Sequence, residues 1–156
     1  MDGVQDRVPG DRPGWMGLVA RAEPSMLKAA MGAALDRLGG RPAIRWLRAP
    51  EIGAVMLQGR TGATGAPFNH GEMTVTRASL ALEDGTVGHA WVPGRDRDKA
   101  ADAALADALM QRAEAGVIRE TVLAPLVEAE AARHRETAEK AAATKVDFFT
   151  MVRGED

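Results

Sequence analysis

The stretch "EMTVTRASLALEDGTVGHAWV", Glu72 to Val92, limits the fold of this chain more than any other part of it. Two β-branched, alternating runs flank Glu83-Asp84-Gly85, and an Asp-Gly pair in that setting is a strong hairpin signal, because glycine tolerates the positive φ the turn requires. The chain must therefore build an antiparallel sheet around this turn. Upstream, "AIRWLRA" and "IGAVMLQGR" read as two further short strands divided at Pro50-Glu51. The expectation is a mainly antiparallel sheet of about four strands.

Helical patterns bracket the sheet. Trp15, Leu18 and Val19 recur at i, i+3 and i+4. Glu23-Pro24-Ser25 breaks the pattern, since the residue before proline avoids the helical region. A second helix fits Ser25 to Leu38, with Met26 or Leu27, Ala30, Met31, Ala34 and Leu35 on its buried stripe, and "GGRP" at 39–42 stops it. After the hairpin, Asp96 is the expected N-cap of a helix carrying Ala101, Leu105, Ala108 and Leu109 inward, with Gly116 as its stop. "VIRETVLAP" fits a short strand or a helix broken at Pro125, and Leu126 to Ala143 is helical by propensity, with Glu136 and Lys140 spaced for an ion pair. The predicted class is α+β, a single domain: residues 1–13 a frayed arm, 14–156 the folded body, and about 145–156 a docking tail.

Composition narrows function by exclusion. The 156 residues carry a formal charge of −2 without a basic block, which argues against a sequence-independent nucleic-acid binder. Cysteine is absent, so disulfides and thiolate metal sites are excluded. No apolar run approaches the roughly 20 residues that span a bilayer, and the N-terminus lacks a signal-peptide core, so the expected location is cytoplasmic with no membrane partner. Aromatic residues make up only 4%, with alanine filling much of the apolar count, and a core of small side chains buries little area per residue. A stabilising partner is the natural expectation.

The site candidates are incomplete. Gly59, Gly62 and Gly65 space a glycine loop as G-x-x-G-x-x-G, which matches neither the Walker loop nor the dinucleotide fingerprint. A strand rather than a helix follows it, so no helix N-terminus faces an anion; the loop reads as a partner contact or a turn-type phosphate nest. Arg60, Arg77 and Arg95 flank loop and sheet and are candidate phosphate ligands, against ordinary ion pairing with nearby carboxylates. His70 and Glu72 are the acid/base candidates, with His89 behind them. His70-Gly71-Glu72 supplies the H-x-E half of a zinc-deaminase signature whose cysteine half cannot exist here, so no metal site is expected. Phe148, Phe149, Met151, Val152 and Arg153 form an apolar, aromatic C-terminal cluster suited either to folding back on the sheet or to docking in another subunit.

The run Gly62-Ala63-Thr64-Gly65 through Phe68-Asn69-His70-Gly71-Glu72-Met73-Thr74-Val75-Thr76-Arg77-Ala78, with "LEDGTVGHAWVPGRDRDKA", "TVLAPL" and "KVDFFTMVRG", resembles the PhnG family, the G subunit of the bacterial carbon–phosphorus lyase core complex. The similarity runs from about Trp15 onward and is strongest over residues 59–112 and 145–154. The resemblance implies an accessory subunit that works with the I, H and L subunits as an α-D-ribose 1-methylphosphonate 5-triphosphate synthase, in which methylphosphonate displaces adenine from ATP. It implies a two-fold hetero-oligomer that also takes in the J and K-type ATPase subunits, with ATP and methylphosphonate as substrates of the complex and no cofactor on this chain alone. It carries over no catalytic residue, and His70 stands where the family pattern has an apolar residue. The alternatives are an autonomous nucleotide-binding enzyme and a pure scaffold.

Overall fold

The structure is a computed structural model and describes residues 8–144. Helices α1 (Arg12–Arg21) and α2 (Pro24–Arg37) are followed by strands β1 (Ile44–Arg60), β2 (Pro67–Leu82) and β3 (Val87–Pro93). Helices α3 (Arg97–Leu109), α4 (Ala115–Ile118) and α5 (Ala124–Ala143) follow, the last two joined by a π-helical turn over Arg119–Leu123. Among the described residues one antiparallel sheet runs in the order β1-β2-β3. The expected α+β class, with an antiparallel sheet between N-terminal and C-terminal helices, is what folds.

Local chemistry sets the boundaries. Glu23 caps α2 by accepting from the Met26 amide at 2.9 Å, and Asp96 caps α3 by accepting from the Lys99 amide at 2.8 Å. Gly85 takes φ 86° in the β2–β3 turn, where the Asp84 carboxylate accepts from the Thr86 amide at 3.0 Å. The expected pair of short strands is instead the single strand β1. Its register shifts between Arg48 and Glu51, where one extra β1 residue is accommodated, and that bulge gives Pro50 a place without a ladder donor. Pro125 is the second residue of α5, directly after the π-helical turn over Arg119–Leu123, so 117–125 is helical throughout and Gly116 sits inside α4 rather than ending α3. Within the predicted arm over 1–13, Val8 is buried and Arg12 opens α1, and residues 1–7 lie outside the described residues.

The core forms where α3 crosses β2 and β3, with α1, α2 and α5 closing around it. Leu80, Val92, Leu105 and Leu109 meet Leu27, Met31, Ile118, Val122 and Leu123 there, all essentially inaccessible. Contact is closest at Gly88, where an added Cβ would lie 2.0 Å from the Ala104 carbonyl oxygen. Alanine on α3 and glycine on β3 let helix and sheet approach this far, which is the structural use of the alanine-rich composition. Trp15, Leu18, Val19, Leu27, Met31 and Ala34 are buried as their spacing predicts.

Candidate partner interface

Strand β3 pairs with β2 only from Val75 to Ala81. Beyond it, β1 and β2 continue alone from the Ala54–Thr74 pair to the Arg60–Pro67 pair, a two-stranded arm reaching about 24 Å past the three-stranded region. Such a ribbon is marginal in water without a third strand or a packed face. Yet the arm exposes Met56 to 53% and Phe68 to 48%, with Met73 also open and Ile52 open just below its base. Trp91, 50% exposed on β3, and Trp46 and Leu47 near the base of β1 extend the open apolar surface onto the body.

The sequence candidates are spread along this surface rather than gathered. Arg60 stands at the far end of the arm, donating to the Gly65 carbonyl at 3.0 Å. Arg77 lies ten residues along β2 from Pro67, the partner of Arg60, a separation of roughly 33 Å. Its Nε donates to Glu51 at 2.6 Å, and its guanidinium stacks 5.4 Å above the Trp91 ring. Arg48 also pairs with Glu51, and the hydrogen bonds from Arg48 and then Arg77 hold that carboxyl below the usual glutamate range. Arg95 is exposed just after Gly94, whose amide bonds the Thr74 carbonyl at 2.9 Å where the arm leaves the body. The three arginines do not converge within this chain.

In the glycine loop, the Thr64 amide bonds the Gly62 carbonyl at 2.8 Å and the Gly65 amide bonds the Thr61 carbonyl at 2.9 Å. Those donors are spent inside the turn and are not free to cradle a phosphate. His70 is the extra β2 residue at a bulge, opposite the step from Leu57 to Gln58. Its exposed ring leans on Gly59, where a Cβ would come within 3.3 Å of Nδ1, and makes an edge contact with Phe68 at 6.1 Å. Glu72 is exposed opposite Met56. His89 Nδ1 lies 2.9 Å from Ser79 Oγ on the exposed side of the sheet. Among the described residues no group of three His, Asp or Glu side chains is placed to hold a metal. The candidates Phe148, Phe149, Met151, Val152 and Arg153 fall outside the described residues.

Two features escaped the sequence reading. Asp107, only 2% exposed, accepts from Arg12 Nε and Nη2 at 3.0 and 2.6 Å, Trp15 Nε1 at 3.0 Å and the His89 amide at 2.9 Å. It borders a mainly apolar cavity of about 200 Å³ between α1, β3 and α3. With both oxygens engaged, it is a structural hub. The exposed apolar arm is the other, and the uncharged run from Ile52 to Gly59 is the signal that could have found it.

No helix among the described residues is long and apolar enough to cross a membrane. Residues 10–154 match the family described as phosphonate metabolism protein PhnG. The chain is also 45% identical over 158 residues to the alpha-D-ribose 1-methylphosphonate 5-triphosphate synthase subunit PhnG of Rhizobium meliloti (strain 1021), covering 99% of this chain and 93% of that relative. Among the described residues an α+β body carries an open apolar arm and no assembled site; similarity runs along nearly the whole length, and the chain belongs to the PhnG family.

Proposed function

We propose that this chain is an accessory subunit of the α-D-ribose 1-methylphosphonate 5-triphosphate synthase of phosphonate breakdown, and that it holds and positions a catalytic partner through the β1–β2 arm. The observation that carries this reading is the arm itself, which leaves apolar side chains such as Met56 and Phe68 in water at the end of a two-stranded ribbon. In the reaction, methylphosphonate displaces adenine from ATP at the ribose anomeric carbon, and ATP and methylphosphonate are substrates of the whole assembly. The working partners are subunits of the I, H and L types, within a two-fold hetero-oligomer that also engages the J and K-type subunits. Arg60, Arg77 and Arg95 serve a polyphosphate only where a partner brings further ligands to one of them. His70 and Glu72 contribute at most the rim of a shared site, and the C-terminal Phe148, Phe149, Met151, Val152 and Arg153 are a second docking element.

Co-expression with an I-type subunit is expected to give a complex that co-purifies through size exclusion. Calorimetric titration of ATP into the isolated chain is expected to show no binding at millimolar ligand. Tight ATP binding by the isolated chain would favour an autonomous enzyme, and a partner that is stable and active without this chain would defeat the proposal.

A further inference from the structure

The sheet has two edges, and they are treated differently. At β3 side chains occupy the outward groups at the start of the strand: the Val87 carbonyl accepts from Arg12 Nη2 at 3.2 Å and Gln111 Nε2 at 2.9 Å, and the His89 amide donates to Asp107 at 2.9 Å. In an antiparallel ladder the amide and carbonyl of one residue point to the same side. His89 and Val87 therefore face outward on β3, and Gly88, Ala90 and Val92 face β2, opposite Leu80, Ala78 and Thr76. The alternation carries across the sheet. Val75 and Met73 of β2 turn their backbone toward β1, where they meet Gly53 and Val55. Ile52, Ala54 and Met56 consequently turn their amides and carbonyls away from the sheet, and among the described residues no hydrogen bond reaches them.

Between the bulges at Arg48–Glu51 and Leu57–Gln58 this outer edge is a regular strand open to pairing. From Ile52 to Gly59 it has no charge and no proline, the side chains of Ile52 and Met56 are open, and among the described residues no helix or loop covers it. A second copy of the chain fits poorly. The antiparallel self-register that pairs Ile52 with Met56 and Ala54 with itself carries the Arg60 end into the Arg48–Glu51 bulge, where the ladder is interrupted and Glu51 is already bound by Arg48 and Arg77. We propose that the Ile52–Met56 edge of β1 accepts a β-strand from another subunit of the synthase, extending the sheet across the subunit boundary. The incoming strand presents apolar residues on the side of Ile52 and Met56 and a carboxylate where it passes Arg60, whose only bond in this chain among the described residues is to a carbonyl. This inference rests on the accessory-subunit reading and names how the arm engages.

The test is residue-resolved amide hydrogen exchange on the full chain, alone and in the complex reconstituted with the other synthase subunits. The amides of Gly53, Val55 and Leu57, bonded to β2, are expected to be slow in both. Those of Ile52, Ala54 and Met56 are expected to exchange fast in the isolated chain and roughly tenfold or more slower in the complex. Ala54→Pro removes one outward donor while sparing the β1–β2 ladder, and is expected to lower recovery of the complex about tenfold; Met56→Lys is a second variant that leaves the backbone unaltered. A complex that forms with the three outward amides still fast overturns strand addition and leaves the accessory role standing. Protection that grows with the concentration of the isolated chain overturns it in favour of self-pairing. Failure of the wild-type chain to enter any complex overturns both.

Discussion

Asp107 brings a carboxylate into the seam between α1, α3 and β3, where a guanidinium, an indole and a backbone amide all depend on it. Replacing it with alanine leaves those donors without an acceptor, and Asp107→Ala is expected to cost about 3–5 kcal/mol in urea unfolding, with Asp107→Asn losing less because one oxygen remains. Glu51 makes the opposite kind of contact, exposed and clasped by Arg48 and Arg77. Its folded carboxyl titrates below its unfolded value, so its contribution is present above the ordinary glutamate value of about 4.3 and is lost as pH falls through the lower folded value. Carboxyl NMR titration is expected to show the Glu51 midpoint rising toward that ordinary value in Arg48→Ala, and rising less in Arg77→Ala, following the order of the two hydrogen bonds. Lys99 has the same pH direction for a different reason. Burial lowers its ammonium below the usual lysine value, so stability rises with pH across the interval between the folded and unfolded values.

Between elements, the closest contact is that of α3 on β3 at Gly88. A methyl group there meets the Ala104 carbonyl and Ala108, and Gly88→Ala is expected to destabilise by about 1–3 kcal/mol, read as a lower melting temperature. The arm behaves differently, since the core lies where β2 meets β3 and α3. Replacing residues 54–74 with an Asn-Gly turn is expected to leave urea stability of the body within about 1 kcal/mol while abolishing co-purification with the partner. These contrasts also explain what could be read from the sequence. The Asp84-Gly85 hairpin, the Asp96 cap and the Glu136–Lys140 pair at 2.6 Å are local, and local chemistry announces them. The union of two runs into β1 was hidden because proline normally ends a strand, and only pairing with β2 shows that a bulge absorbs Pro50. His70 is an acid/base candidate by its neighbours Gly71 and Glu72, and its place in a bulge depends on a register no single strand encodes. Asp107 reads as one more acid on a helix until Arg12, Trp15 and His89 arrive from distant segments.

The whole molecule joins a tightly closed body to an open arm. Its buried residues lie chiefly in α1, α2, α3, the later half of β2 and β3, whereas β1 contributes exposed side chains along most of its length. A chain built in this way is stable where it is self-sufficient and incomplete where it meets its assembly. The synthase reaction should then need this subunit as a whole, arm included, without needing any single titratable group on it. Adenine release from ATP and methylphosphonate, measured with the reconstituted subunits, tests this most directly. Release is expected with the wild-type chain, and none when the chain is omitted or when residues 54–74 are replaced by Asn-Gly. Full-rate release with the armless chain, or with no chain at all, would contradict it.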